Sequence, residues 1–277
     1  MAAKAGGAGS GRGVLGSRRG GRPRAARKVC REPSSVDLEI QTHKSSMAPY
    51  HIRKYQESDR QRVLDLFSKG MFEHVPTTFR HILKLPQTVV VLLGGALALF
   101  LVSGSWVLAL VAGLTLLAAL RLLAKYPWTQ YVAYSLQTDM SDITKSYCSK
   151  PGSCFWVAES GGQVVGTVGA RPVEEPTLQK KQLELLHLSV ALEHRGQGIA
   201  KALVRTLLQF ARDQGYSEVV LSTSMLQHSA LALYQHMGFQ KTGQHFFSIT
   251  GRLVAISVFQ LTYWLPAAQA PQLTGAL

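Results

Sequence analysis

The stretch that decides the fold reads His194-Arg-Gly-Gln-Gly-Ile-Ala200. An apolar, strand-like run at residues 183–190 precedes it. After it, Ile199, Leu203, Val204, Leu207, Leu208 and Ala211 recur at helical spacing until Gly215, which suits the position just past a helix end. A strand, a glycine turn and a helix start together make a pyrophosphate-binding turn. The glycines let backbone approach a ligand closely. The first helical turn offers N–H groups with no intrahelical acceptor, at the positive end of the helix dipole.

Working outward, residues 50–56 alternate and read as a first strand. Ser58-x-x-Gln61 reads as a capping box, followed by Val63, Leu64, Phe67 and Met71 at helical spacing, with Pro76 closing the unit. Residues 128–147 are a helical candidate. Residues 154–159 and 164–170 flank Gly161-Gly162 and predict a two-strand hairpin. Residues 218–222 form a short strand. Residues 227–237 form a helix carrying Ala230, Leu233 and Met237 on one stripe, ended by Gly238, and strands follow from Phe239. The apolar stretch at residues 246–265, broken by Arg252 and Gln260, reads as a final strand pair and a surface-lying tail rather than a membrane span. The order predicts a mixed α/β domain around one sheet.

Residues 88–120 contain no charged side chain. A run of 18 or more such residues is a membrane-helix candidate. As one helix the block is ~50 Å long, against a hydrocarbon core of ~30 Å. Two short passes fit better, and Ser103-Gly104-Ser105 supplies a turn midway. Arg80, His81 and Lys84 precede the block, and Arg121 and Lys125 follow it. Basic residues on both flanks put both ends on the cytosolic side, which a hairpin satisfies. A long tilted single span is the alternative.

The net charge of +14 invites a nucleic-acid reading, but nine of the Lys and Arg residues lie in residues 1–31 with no acid, leaving +5 for the rest. Residues 1–46 are rich in Gly, Ala, Arg and Ser and read as a disordered arm, with Met47 opening the ordered pattern. Cys30, Cys148 and Cys154 are odd in number and lack metal spacing, which points to structural thiols in a reducing compartment. The expected division is an arm at 1–46, the first strand and helix at 47–85, a membrane hairpin at 86–124, the rest of the domain at 125–265 and a tail at 266–277.

The spacing Arg195-x-x-Gly198-x-Ala200 resembles the acetyl-coenzyme A loop of the GNAT acetyltransferase superfamily. The segment Ala230-Leu-Ala-Leu-Tyr234-Gln-His-Met-Gly238-Phe239 resembles the second signature of that family, Leu-Tyr-x-x-x-Gly-Phe. The likeness spans residues 50–250 apart from the apolar insert. With its basic flank and apolar hairpin, the chain resembles the camello-like branch, whose microsomal members acetylate cysteine S-conjugates. The residues from Ile199 to Arg205 and from Phe210 to Glu218 carry much of that closeness.

The resemblance implies a GNAT-type α/β fold: a mixed central sheet flanked by helices, with an inserted transmembrane helical hairpin. It implies that backbone groups of Leu188 and Val190 pair with the pantetheine arm of acetyl-coenzyme A, the co-substrate, and supply the oxyanion contact. It implies that the N–H groups of Gly196, Gln197, Gly198, Ile199, Ala200 and Lys201 face the pyrophosphate, with Arg195 and Lys201 adding charge. Tyr234 is expected to protonate the departing thiolate. The family often has Asn seven residues before the tyrosine; here Gln227 stands there, as a further cofactor contact. No metal is expected. A general base must take a proton from the amine, and the candidates are Glu184 and His187. Their odd separation in a regular strand predicts opposite faces, so that only one faces the cleft. Glu193 reads as a solvated loop carboxylate.

The activity so implied is a membrane-anchored N-acetyltransferase of the endoplasmic reticulum, its domain cytosolic, acting on the α-amine of cysteine S-conjugates to give mercapturates. The expected partners are these small molecules and membrane lipid, with no nucleic acid. Protein lysines of the secretory pathway are the alternative acceptor, and a non-catalytic acetyl-coenzyme A-binding scaffold is the alternative class.

Overall fold

The strands of the computed structural model are β1 (His51–Lys54), β2 (Cys154–Ser160), β3 (Gln163–Pro172), β4 (Gln182–Val190), β5 (Glu218–Ser224), β6 (Gln240–His245) and β7 (Val258–Trp264). They form one sheet in the order β1-β2-β3-β4-β5-β7-β6. Residues 50–173, 181–246, 251–252 and 254–266 are described; the arm at 1–46, Met47 and the tail beyond residue 266 lie outside them. Every neighbouring pair is antiparallel except β4 and β5, which run parallel. Gly161 and Gly162, both at positive φ, turn β2 into β3 as expected.

Two helices, α1 (Arg60–Phe72) and α5 (Ile199–Asp213), pack on the central strands of the sheet. Helix α1 buries Val63, Leu66, Phe67 and Met71. Its start departs from expectation. The capping box lies at Gln56 and Asp59 rather than at Ser58 and Gln61, because Asp59 accepts the Gln56 N–H at 2.9 Å while Arg53 grips the same carboxylate. Pro76 does not close the unit. It opens α2 (Val75–Leu83) within its first turn, where a missing N–H costs nothing. Helix α5 (Ile199–Asp213), the one after the glycine turn, buries Ile199, Leu203, Val204, Leu207, Leu208 and Ala211. Each of the larger side chains contributes about 1.5–3 kcal/mol by leaving water, which pins the helix start against β3 and β4.

The apolar block folds into two helices, α3 (Pro86–Ser103) and α4 (Trp106–Gln137), each long and apolar enough to cross a membrane. Gly104 sits between them at φ 66°, the left-handed conformation that glycine adopts without a steric penalty. Leu101 and Val102 are 72% and 89% exposed, so the interior of the domain does not account for this apolar surface. Residues 128–147 differ from the expected single helix. Helix α4 runs unbroken through Pro127 to Gln137, and a separate wide helical turn follows at Thr144–Cys148. The second half of α4 buries Ala124, Trp128, Val132 and Ser135, one stripe at helical spacing, so the helix changes from exposed to buried partway along. Helix α6 (His228–His236) follows β5 and buries Tyr234.

Candidate active site

The parallel pair β4 and β5 sets the site. Their register covers only Gln182 with Glu218, Leu183 with Val219 and Glu184 with Val220. Beyond Glu184 the strands part, and β5 stays with β7 as far as Ser224. Residues 185–190 of β4 therefore line one wall of a wedge, and the expected pantetheine contacts Leu188 and Val190 lie on it. At its mouth is the glycine turn, with Gly196 at φ 78° and Gly198 at φ 82°. The first N–H to return a helical bond is that of Ala202, to the Gly198 carbonyl at 3.0 Å. The N–H groups of Gly196, Gln197, Gly198, Ile199, Ala200 and Lys201 have no acceptor among the described residues. Six consecutive donors at a helix start fit a pyrophosphate. The Arg195 side chain is differently engaged: it bonds the Val190 carbonyl at 3.1 Å and Glu73 at 2.6 Å, tying the turn to the end of α1.

The wall of the wedge is kinked. Thr167 faces Ser189 but Gly169 faces Leu186, so a step of two on β3 spans three on β4. The extra residue is a bulge at His187, whose φ is +53°. A non-glycine residue there costs about 1–2 kcal/mol and has to be held. Three contacts hold it. Its ring meets Phe67 edge-on at 4.9 Å, its carbonyl accepts from Thr167 Oγ1 at 3.0 Å, and its Nε2 lies 2.6 Å from Asp139 Oδ2.

This bulge overturns the expectation that Glu184 and His187 point to opposite faces. A strict alternation of faces fails once one extra residue enters the strand. Glu184 bonds Arg171 through Nε and Nη2, both at 3.1 Å. Arg171 in turn senses the charge of Asp139, the partner of His187, so both base candidates belong to one cluster on the α1 side. An adjoining cleft of about 480 Å³ is lined by Asp139, Glu184, Arg171 and Lys150 among others.

Asp139 is the centre of that cluster. Burial alone raises a carboxyl pKa, but hydrogen bonds from His187 and from the Tyr147 hydroxyl outweigh it and hold Asp139 well below the usual carboxylate range. Burial and the Asp139 charge push the Tyr147 phenol far up, so it stays a donor. His187 Nδ1 is buried and has no hydrogen-bond partner among the described residues. Leaving such an atom unpaired costs about 1–3 kcal/mol.

Tyr234 is 5% exposed and packs edge-on against Phe239 at 5.6 Å. Burial, and Tyr131 of α4 nearby, push its phenol well above the ordinary value. It is protonated at neutral pH and able to donate. Gln227 shapes the turn from β5 into α6. Its Oε1 accepts from Thr223 Oγ1 and the Ser224 N–H, both at 3.0 Å, and its Nε2 approaches His74 Nε2 at 3.4 Å. Burial lowers the His74 pKa, so its imidazole is neutral and accepts. The Gln227 carbonyl is thus engaged within the turn and its amide nitrogen with His74.

The structure gathers His187 and Glu184 into one cluster with Asp139, Tyr147 and Arg171, while the glycine turn lies beyond the free end of β4 and Tyr234 is buried on α6 against Phe239. Sequence reasoning missed Asp139, Tyr147, Arg171 and His74. Each is placed by contacts across the chain, 48 residues separating Asp139 from His187, and no local pattern marks them.

A model of the acetyltransferase (GNAT) family matches residues 120–239. The chain is 68% identical to human N-acetyltransferase 8B over 227 residues, covering 82% of this chain and all of that protein. It is 65% identical to human N-acetyltransferase 8 over 227 residues, again covering 82% of this chain and all of that one. Among solved structures, an N-acetyltransferase from Staphylococcus aureus Mu50 aligns with a TM-score of 0.44 at 16% identity, covering 78% of this chain and 99% of that chain.

Proposed function

The chain belongs to the GNAT acetyltransferase family, with the N-acetyltransferase 8 proteins as relatives, and is an acetyl-coenzyme A-dependent N-acetyltransferase; from that premise we propose that it is membrane-anchored and acetylates the α-amine of cysteine S-conjugates, forming mercapturic acids. The observation that carries the site assignment is the wedge between β4 and β5, with six N–H groups at its mouth that have no acceptor among the described residues.

Two proton transfers accompany the reaction and a third restores the enzyme. The neutral amine attacks the thioester carbonyl and loses a proton to His187. The carbon–sulfur bond breaks, and the thiolate takes the Tyr234 hydroxyl proton. Water then returns a proton from His187 to Tyr234, leaving an amide and free coenzyme A thiol. Glu184 is less suited as the base, because Arg171 holds it. The adjoining cleft carries both signs of charge, Asp139 and Glu184 against Arg171 and Lys150, which suits an acceptor bearing an amine and a carboxylate. The two apolar helices support a membrane anchor, and apolar S-substituents partition toward a bilayer. The proposed location is the endoplasmic reticulum membrane with the domain on the cytosolic side, an orientation the basic flanks support.

The test incubates membranes holding the full chain with acetyl-coenzyme A and S-benzyl-cysteine and follows thiol release. Release that needs the conjugate and collapses in Tyr234→Phe and Gly198→Ala is the expected result. No release with any cysteine conjugate, while acetyl-coenzyme A still binds, overturns the acceptor and moves it to protein lysines.

A further inference from the structure

We infer that Asp139 is a positioning residue, which fixes the ring of His187 so that Nδ1 presents its lone pair as the base, with Tyr147 holding the Asp139 carboxylate in place. The inference rests on the acetyltransferase reading above and adds a residue to it.

Four observations carry it. His187 is the bulged residue of β4, in the stretch of that strand beyond its pairing with β5, and its ring turns onto Phe67, Tyr147 and Asp139. Its Nε2 meets a carboxylate at 2.6 Å, and the carboxylate remains charged, so Nε2 is the nitrogen that carries the hydrogen. A neutral imidazole protonated at Nε2 has its lone pair on Nδ1. That atom is buried without a partner among the described residues, whereas Phe67 and Tyr147 fix the ring plane from two sides. Buried imidazole nitrogens are mostly paired; among the described residues Nε2 of His187 is paired and Nδ1 meets no donor.

The proton path follows from this geometry. The attacking amine forms its bond to the carbonyl carbon, and its N–H proton moves to His187 Nδ1. The imidazolium so formed is stabilised by the Asp139 charge, which itself takes no proton. Among the described residues, the ionisable groups around the ring are Asp139, which follows α4, Tyr147 of the wide turn, Tyr131 of α4, and Arg171 with Glu184 across β3 and β4; α1 packs the apolar Phe67 against it.

Asp139→Asn keeps the size of the side chain and removes the charge. Tyr147→Phe keeps the Asp139–His187 bond and removes only its support. The first readout is the ring-nitrogen NMR spectrum of the full chain in detergent, labelled at histidine and assigned with His187→Gln. It requires no substrate. The wild-type chain is expected to carry hydrogen on Nε2 and none on Nδ1, and Asp139→Asn to lose that preference. The second readout is thiol release on whichever amine the wild-type chain acetylates. For Asp139→Asn, kcat is expected to fall about 100-fold or more, KM for acetyl-coenzyme A to stay within about twofold, and the acid limb of kcat to move to lower pH. Tyr147→Phe is expected to lose less than about tenfold.

Hydrogen on Nδ1 of the wild type, an unchanged tautomer in Asp139→Asn, or a kcat loss with an unmoved acid limb each overturns the positioning role. The expected tautomer together with no turnover on cysteine conjugates overturns only the acceptor proposed above, since the spectrum contains no acceptor.

Discussion

Gly166 carries no side chain, and the structure explains why. It lies on β3 opposite Ala158 of β2 and Val190 of β4, beneath the first turns of α5. A Cβ placed there stands 3.0 Å from Ile199 Cγ2, 3.1 Å from Leu203 Cδ1 and 3.3 Å from Ala158 Cβ. Carbon atoms pack best at about 3.5–4.0 Å, so α5 has to withdraw by about half an ångström or more. Ile199 and Leu203 are fully buried and have nowhere else to turn. Overpacking of this kind costs about 1–3 kcal/mol, or about 2–12 °C in Tm for a domain of this size. The same withdrawal moves the N–H groups of Ile199 and Ala200 away from the pyrophosphate, and losing about 1 kcal/mol there raises the Kd for acetyl-coenzyme A about fivefold. Thermal unfolding followed by tryptophan fluorescence and a calorimetric titration with acetyl-coenzyme A measure the two effects on Gly166→Ala. Gly94→Ala is the control: nothing lies within 4 Å of its added carbon, and its Tm is expected to hold or rise. A Gly166→Ala chain that melts and binds like the wild type refutes the close apposition of β3 and α5 and the coupling drawn from it.

Three further outcomes are expected. Gly198→Ala meets only the Tyr50 hydroxyl, 3.9 Å away, so its penalty is the left-handed backbone, about 1–2 kcal/mol. Acetyl-coenzyme A should bind about 5–30-fold more weakly while Tm barely moves, since the empty turn is free to relax. Tyr234→Phe should lower kcat about 100-fold and leave the Kd for acetyl-coenzyme A unchanged, as expected of a proton donor; an equal loss in Kd would assign it to packing instead. Burial pushes Asp59 up, but Arg53 and the Gln56 N–H outweigh it, so its folded pKa lies below the unfolded value of about 3.9. Its contribution is complete above that value and is lost as pH falls through the folded one. Asp59→Asn should lower Tm at pH 7 and flatten its fall between about pH 5 and 3.

What the sequence made legible is what short-range chemistry decides. The glycine turn, the helix behind it, the Gly161-Gly162 hairpin and the turn at Gly104 each sit within a few residues of their cause. The bulge at His187 does not. Nothing in residues 183–190 announces an extra residue, because the contacts that hold it come from Phe67, Asp139 and Thr167 on three other elements. A parity argument therefore separated Glu184 from His187 where the structure brings them to one face. The capping box failed for a related reason: two candidate boxes overlap, and Arg53 on the preceding strand selects Asp59.

Helix α4 joins these two scales. Its first half is exposed and apolar, and its second half packs a buried stripe against the domain, with no break between them. At 32 residues it is about 48 Å long, a single rod from the tip of the hairpin to the cluster around Asp139. Tyr131 on its buried half neighbours Tyr234, and Asp139 follows its last turn. Trp128 stacks on His74 and bonds Thr78, which fixes α2 to the same rod. If the exposed half lies in a bilayer, as proposed, one continuous helix joins the anchor to the cluster around Asp139. The tilt of the hairpin then sets the angle at which the cleft meets the membrane surface. An acceptor with an apolar substituent and a charged amino-acid head is the chemistry such an arrangement favours, since one end partitions into lipid while the other reaches the cleft.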